Sequence, residues 1–206
     1  MQVTKLEEPN KKKKIGIYID GEYAFMLYES EVHKLNLCEG FEISTEQYEN
    51  IVNNTIYPMA KQKAVDILKF MDRTEMELRK KLSEAGFTQE IIDRTVDYIN
   101  EYGYLNDERF AKAYLKSRMN TKSKLIIKTE LIQKGVSKDI IKAIFEEEYD
   151  NNEAEDPETN AIRKAIAKKT RTPEDMDYNT KQKLIASLYR KGFDIGKIKQ
   201  ILNNNI

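Results

Sequence analysis

Gly192-Phe193-Asp194-Ile195-Gly196-Lys197 sets two glycines ahead of a lysine, the order in which a phosphate-binding loop offers backbone amides and an ammonium group to a nucleotide. The run is one residue short, Ile198 stands where a magnesium-binding hydroxyl is required, and no strand pattern leads into it. A helix cap explains it better. One histidine, His33, and one cysteine, Cys38, exclude His-rich metal sites, an intramolecular disulfide and a Cys-based zinc site, and they argue against a Ser–His–Asp hydrolase. His33 falls in an amphipathic stretch, Glu29 to Leu37, and reads as an ordinary surface or packing residue; Cys38 reads as a small apolar filler. Carboxylates are plentiful, but no pair has a spacing that singles out an acid–base dyad or a metal cluster. The sequence therefore reads as non-enzymatic, with no catalytic, cofactor-binding or metal-binding residue and no cofactor.

Charge offers a different chemistry. The 206 residues carry 35 Lys and Arg against 35 Asp and Glu, so net charge alone predicts no polyanion partner. The charges are nevertheless segregated along the chain. Between Ala111 and Gly135, Lys112, Lys116, Arg118, Lys122, Lys124, Lys128 and Lys134 stand against Glu130 alone. From Glu146 to Glu158 there are eight acids and no base, and then Arg163, Lys164, Lys168, Lys169 and Arg171 follow without an acid among them. Solvated helix surface would account for such runs; a basic face for an anionic partner is the alternative. The candidate partner-binding residues are Lys116, Arg118, Lys122, Lys124 and Lys128, with Lys168, Lys169 and Arg171, and the acidic stretch is expected to point elsewhere. Lys124 and Lys128, four apart, emerge on one side of a helix that buries Ile127 and Leu131 on another.

These residues need elements to position them. Ile15, Ile17 and Ile19 alternate with small or polar residues, Asp20-Gly21-Glu22 follows, and Tyr23, Phe25 and Leu27 alternate again, which predicts a hairpin. Residues 2–7 and Phe41 to Ile43 could add strands, giving a small sheet of three or four. Ser44-x-x-Gln47 is a capping box opening a helix that Pro58 should kink or break. Beyond it, three segments align on Gly86, Gly135 and Gly192. Four before each glycine stands Leu82, Leu131 or Leu188; eight before, Leu78, Ile127 or Leu184; twelve before, a capping Thr74, Ser123 or Thr180. Phe87, Val136 or Phe193 follows each glycine, then a second cap, Thr88, Ser137 or Asp194, and a second helix. Further helices precede each unit, carrying Ala64, Ile67, Leu68 and Met71; Phe110, Ala113 and Tyr114; and, after Asp156-Pro157, Ile162, Ala165 and Ile166. The fold class is thus mostly α: three tandem three-helix repeats forming an elongated curved array, preceded by a small N-terminal β-hairpin subdomain. The expected divisions are 1–57, 58–104, 105–155 and 156–206.

The helix–Gly turn–helix unit approaches a helix-turn-helix, whose second helix must tolerate phosphates. In the first repeat that helix carries Glu90, Asp93, Asp97 and Glu101 against Arg94 alone, and in the second it ends in Glu146, Glu147 and Glu148. Direct base readout is disfavoured. No run of 18 apolar residues spans a membrane, and no apolar segment follows Lys11 to Lys14 as a secretory signal would require, so a cytoplasmic monomer is expected.

Gly103-Tyr104-Leu105-Asn106-Asp107-Glu108-Arg109-Phe110-Ala111, joining repeats one and two, resembles the RecX family of recombinase regulators. So do Arg73-Thr74-Glu75-Met76-Glu77-Leu78 with Leu82 and Gly86, and Leu131-Ile132-Gln133-Lys134-Gly135-Val136; Tyr18-Ile19-Asp20-Gly21-Glu22-Tyr23-Ala24-Phe25 is similar to the hairpin of the longer Gram-positive members. The resemblance covers about residues 58–204. It implies a non-enzymatic protein that binds the RecA filament on DNA and modulates, generally inhibits, its recombinase and co-protease activities. A basic face touching single- or double-stranded DNA, an independent nucleic-acid-binding module, and a bare protein–protein scaffold remain alternatives.

Overall fold

A computed structural model describes residues 1–150, 156–170, 172, 173 and 175–203. The chain forms two compact units, Met1–Asn106 and Asp107–Ile206. The first begins with strands β1 (Val3–Leu6), β2 (Lys14–Ile19) and β3 (Glu22–Tyr28), an antiparallel sheet in that order. Asp20 and Gly21 both have positive φ (50° and 87°), the geometry a two-residue hairpin turn demands. The expected fourth strand is reduced to one bridge, Gln2 with Glu42. Alternation then works as pattern predicts: Ile15, Ile17, Ile19, Phe25 and Leu27 are buried.

Helix α1 (Glu29–Lys34) follows, then α2 (Thr45–Ile51), opened by reciprocal Ser44–Gln47 hydrogen bonds of 3.1 and 2.9 Å. Pro58 does not break the chain's helical path. A π-helical segment, Val52–Ile56, carries α2 into α3 (Tyr57–Phe70), so the missing proline N–H is absorbed by a change of hydrogen-bond register. With α4 (Glu75–Glu84) and α5 (Gln89–Glu101), these elements bury one continuous core running from Val3 to Leu105. The sheet is tied to the first repeat by the Tyr23 hydroxyl, which donates to the Gly86 carbonyl at 2.6 Å.

The second unit holds α6 (Asp107–Arg118), α7 (Lys124–Gln133) and α8 (Lys138–Phe145), continued by a π-helical segment, Glu146–Asp150. Then come α9 (Pro157–Ala167), α10 (Tyr178–Arg190) and α11 (Ile195–Asn203). Its apolar residues form two clusters, one around Leu115, Ile127 and Leu131, the other around Ile162, Leu188 and Ile198. The chain is therefore mostly helical, three three-helix domains behind a three-stranded sheet. Among the described residues no helix is long and apolar enough to cross a membrane.

The glycine alignment has a single geometric cause. At Gly86, with φ of +88°, the Phe87 amide donates to the Leu82 carbonyl (3.2 Å) and the Gly86 amide to Ser83 (2.9 Å), which closes α4 in a Schellman turn. Val136 and Gly135 repeat this on Leu131 and Ile132, and Phe193 and Gly192 repeat it on Leu188 and Tyr189. Leu78, Leu82, Ile127, Leu131, Leu184 and Leu188 are all buried. Several expected positions shift. Thr180 is not the cap of α10; Asp177 is, a carboxylate accepting from the Thr180 amide at 3.0 Å. Thr88 sits at the start of α5 without a side-chain cap bond. On α6 the buried residues are Ala111 and Leu115, continued by Met119 just past its end, whereas Ala113 faces solvent, as do Met71 and Cys38.

Candidate functional site

Helices α7 and α8 are built from residues four apart, and their facing rows make a groove of about 340 Å³. Lys124, Lys128 and Ile132 form one wall, Lys138, Lys142 and Glu146 the other, and Ile141, Phe145 and Tyr149 the floor. The phenyl and phenol rings of Phe145 and Tyr149 stack at 5.3 Å with 2° between their planes. Lys128 Nζ lies 4.8 Å from the first ring centroid and Lys124 Nζ 3.9 Å from the second, so cation–π contacts hold both ammonium groups over the floor. The only acid on the walls among the described residues, Glu146, is 3.9 Å from Lys142. The result is a lysine-walled, apolar-floored groove.

Other candidates are engaged differently. Lys116 pairs with Glu148 at 2.8 Å, and its neighbour Lys112 with Glu147 at 2.8 Å and Glu108 at 3.0 Å. Hydrogen bonds donated by Lys112 to Glu147 and then Glu108 push its pKa up to about 12. The acidic run thus does not point away from the basic helices: its first residues fold back onto α6. Lys122 is bonded to Glu130, which also accepts from the Tyr114 hydroxyl at 2.8 Å. Burial opposes the Glu130 charge, but Lys122 and Tyr114 outweigh it and hold that carboxyl below its ordinary range. Arg118 lies 5.8 Å from the Tyr114 ring centroid.

Lys168 and Lys169 belong to a second cavity, about 470 Å³, between α9 and the end of α10. Lys164 and Lys191 complete its basic lining over Ala161, Ala165 and Phe193, and among the described residues no carboxylate lines it. Arg171 lies outside the described residues. Sequence reasoning missed Lys138, Lys142, Lys164 and Lys191 as partners of the chosen lysines. For Lys138 and Lys142 the signal was available: they recur at i and i+4 on α8 opposite the α7 pair.

The two cavities share a rigid polar support. Glu158, 4% exposed, accepts from the Lys124 amide at 3.2 Å and from Lys197 Nζ at 3.1 Å, while Lys197 also bonds Asp156. The Ser123 hydroxyl donates to the Lys191 carbonyl at 2.8 Å. Burial works against the charge on Asp156 and on Lys197, yet their mutual hydrogen bond holds the Asp156 pKa below its ordinary 3.8 and the Lys197 pKa above its ordinary 10.5. Burial raises the Tyr149 pKa, and the charges of Glu158 and Asp156 add to it. Among the described residues no group of three His, Cys, Asp or Glu could hold a metal ion.

Three family models match the chain: the first three-helix domain of RecX over residues 60–98, the second over 106–143 and the third over 156–202. The regulatory protein RecX of Caldanaerobacter subterraneus subsp. tengcongensis is 35% identical over 98% of this chain and 99% of its own. That of Clostridium acetobutylicum is 30% identical over 97% and 94%. A crystal structure of regulatory protein RecX superposes with a TM-score of 0.65 at 24% identity, covering 98% of this chain and 100% of that one. RecX from Lactobacillus salivarius gives 0.59 at 23%, covering 72% and 96%.

Proposed function

The chain belongs to the RecX family of regulatory proteins, and on that premise we propose that it is a non-enzymatic regulator that binds the RecA–DNA nucleoprotein filament and modulates, generally by inhibition, its recombinase, ATPase and co-protease activities in DNA repair. The observation that carries this reading is the pair of lysine-lined cavities in the second unit, built on α7–α8 and on α9–α10. Two cationic surfaces on one compact unit suit an extended anionic partner better than a small substrate. The same reading takes the chain as a cytoplasmic monomer, with working divisions at 1–57, 58–104, 105–155 and 156–206, and assigns Lys124 and Lys128, with Lys168 and Lys169, to the contact. Lys116 and Lys122, already paired with carboxylates, contribute to it through the local field.

The test is titration of the protein into a RecA filament hydrolysing ATP on single-stranded DNA. Wild type should slow hydrolysis, and Lys124→Glu/Lys128→Glu should keep its fold yet inhibit markedly less. A folded double variant that inhibits like wild type refutes the assignment. The second reading, an independent nucleic-acid-binding module, is favoured by the carboxylate-free α9–α10 cavity. It requires tight binding to naked oligonucleotide with an affinity that falls steeply as salt rises.

A further inference from the structure

We propose that the groove between α7 and α8 docks an acidic protein segment carrying apolar side chains, so that this surface engages polypeptide and not nucleic acid. The inference rests on the filament-binding reading and names the component of the filament that this groove meets.

The floor decides between the two polymers. Aromatic platforms for single-stranded nucleic acid present open ring faces on which bases stack. Here Phe145 and Tyr149 are 6% and 9% exposed, they stack on each other, and lysine ammonium groups lie over both rings. No face is left for a base. A phosphodiester backbone would satisfy the lysines but leave Ile132, at 48% exposure, against water. A peptide does both jobs. An apolar side chain packs against Ile132, while flanking carboxylates meet lysines on either wall. Charge fits the same occupant, since among the described residues the walls carry four lysines and one carboxylate. From Lys124 to Ile132 the helix rises about 12 Å, room for about two turns of a docked helix or about four extended residues.

The experiment uses the full chain and a short fluorescein-labelled peptide of alternating glutamate and leucine, followed by fluorescence anisotropy. An all-glutamate peptide and an oligothymidylate serve as competitors. The alternating peptide should bind, and Ile132→Ser and Lys138→Glu should each weaken it about tenfold. Lys183→Glu, an equal charge change on exposed α10 surface, should leave it unchanged, and all three variants should melt like wild type. The all-glutamate peptide should compete at least about tenfold less well. The proposal fails if the alternating peptide does not bind, if Ile132→Ser has no effect, or if oligothymidylate displaces the peptide and is itself weakened by Lys138→Glu. Inhibition of filament ATP hydrolysis by wild type is measured in parallel. Its absence overturns the filament reading whatever the peptide does, whereas inhibition without peptide binding overturns only the docking assignment.

Discussion

Glu158 spends both carboxylate oxygens on residues far from it in sequence, the amide that opens α7 and the ammonium group of Lys197. Glu158→Ala would orphan the first and leave Lys197 with Asp156 alone, which should cost about 2–3 kcal/mol in urea unfolding. The ion pair also sets a pH window. The folded-state pKa of Asp156 is depressed, so its contribution is present above the ordinary 3.8 and is lost as pH falls through the lower folded value. That of Lys197 is raised, so its contribution is full below the ordinary 10.5 and is lost as pH rises through the higher folded value. The stability gap between wild type and Lys197→Met should therefore be flat from about pH 5 to about pH 9 and shrink outside it. A gap that varies within that range refutes the pairing. Tyr149 offers the opposite case. Its hydroxyl is buried with no hydrogen-bond partner among the described residues, so Tyr149→Phe should be neutral or stabilising by up to about 1 kcal/mol. Sequence could announce the Asp156-Pro157 cap, because capping is local. It could not announce Glu158, whose partners are 34 and 39 residues away.

At the scale of elements, the repeat is legible because each of its signals obeys a local rule: a left-handed glycine, a cap three residues from its amide, two aliphatics one turn apart. Gly86 adds a tertiary constraint, since a Cβ there would stand 3.1 Å from both Met26 Cε and the Tyr23 hydroxyl. Gly86→Ala should cost about 1–2 kcal/mol from the backbone alone, and more if the sheet must yield, read as a fall in melting temperature. Leu131→Ala should cost about 2–5 kcal/mol, and a loss below about half a kcal/mol would undo the repeat alignment. Periodicity placed α6 but named only part of its apolar face. Ala111, Leu115 and Met119 are buried, Phe110 and Tyr114 pack against the same core at its edge, and Ala113 alone of those expected on α6 faces solvent. Phe110 and Tyr114 form a partly buried stacked pair, 6.0 Å apart, beneath Lys134. The lysines of the site were visible as a run, but their sorting into a groove, a cavity and neutralised pairs depends on which helices face each other.

For the whole molecule, net neutrality conceals an opposition. Met1–Asn106 holds 14 basic and 19 acidic residues and Asp107–Ile206 holds 21 and 16, so the units carry formal charges of −5 and +5. The sum gave no hint of a partner because the two units cancel. Their interiors are separate as well: one core closes within the first unit and two within the second. Leu82→Ala should therefore lower native-state hydrogen-exchange protection through residues 1–106 and leave residues 107–203 unchanged. Equal loss in both would show one cooperative body. The borrowed start of α7 bears also on the order of events during synthesis. All residues of the first core have been made once Leu105 is in the chain. The second repeat has its apolar residues by Tyr149, but its helix α7 lacks Glu158, and the groove lysine Lys124 lacks its fixed amide, until the third repeat is translated and Lys191 and Lys197 arrive. A growing chain thus holds every residue of the acidic unit's core well before it holds those of the basic unit, and the start of α7 gains its polar support only when the third repeat has been made.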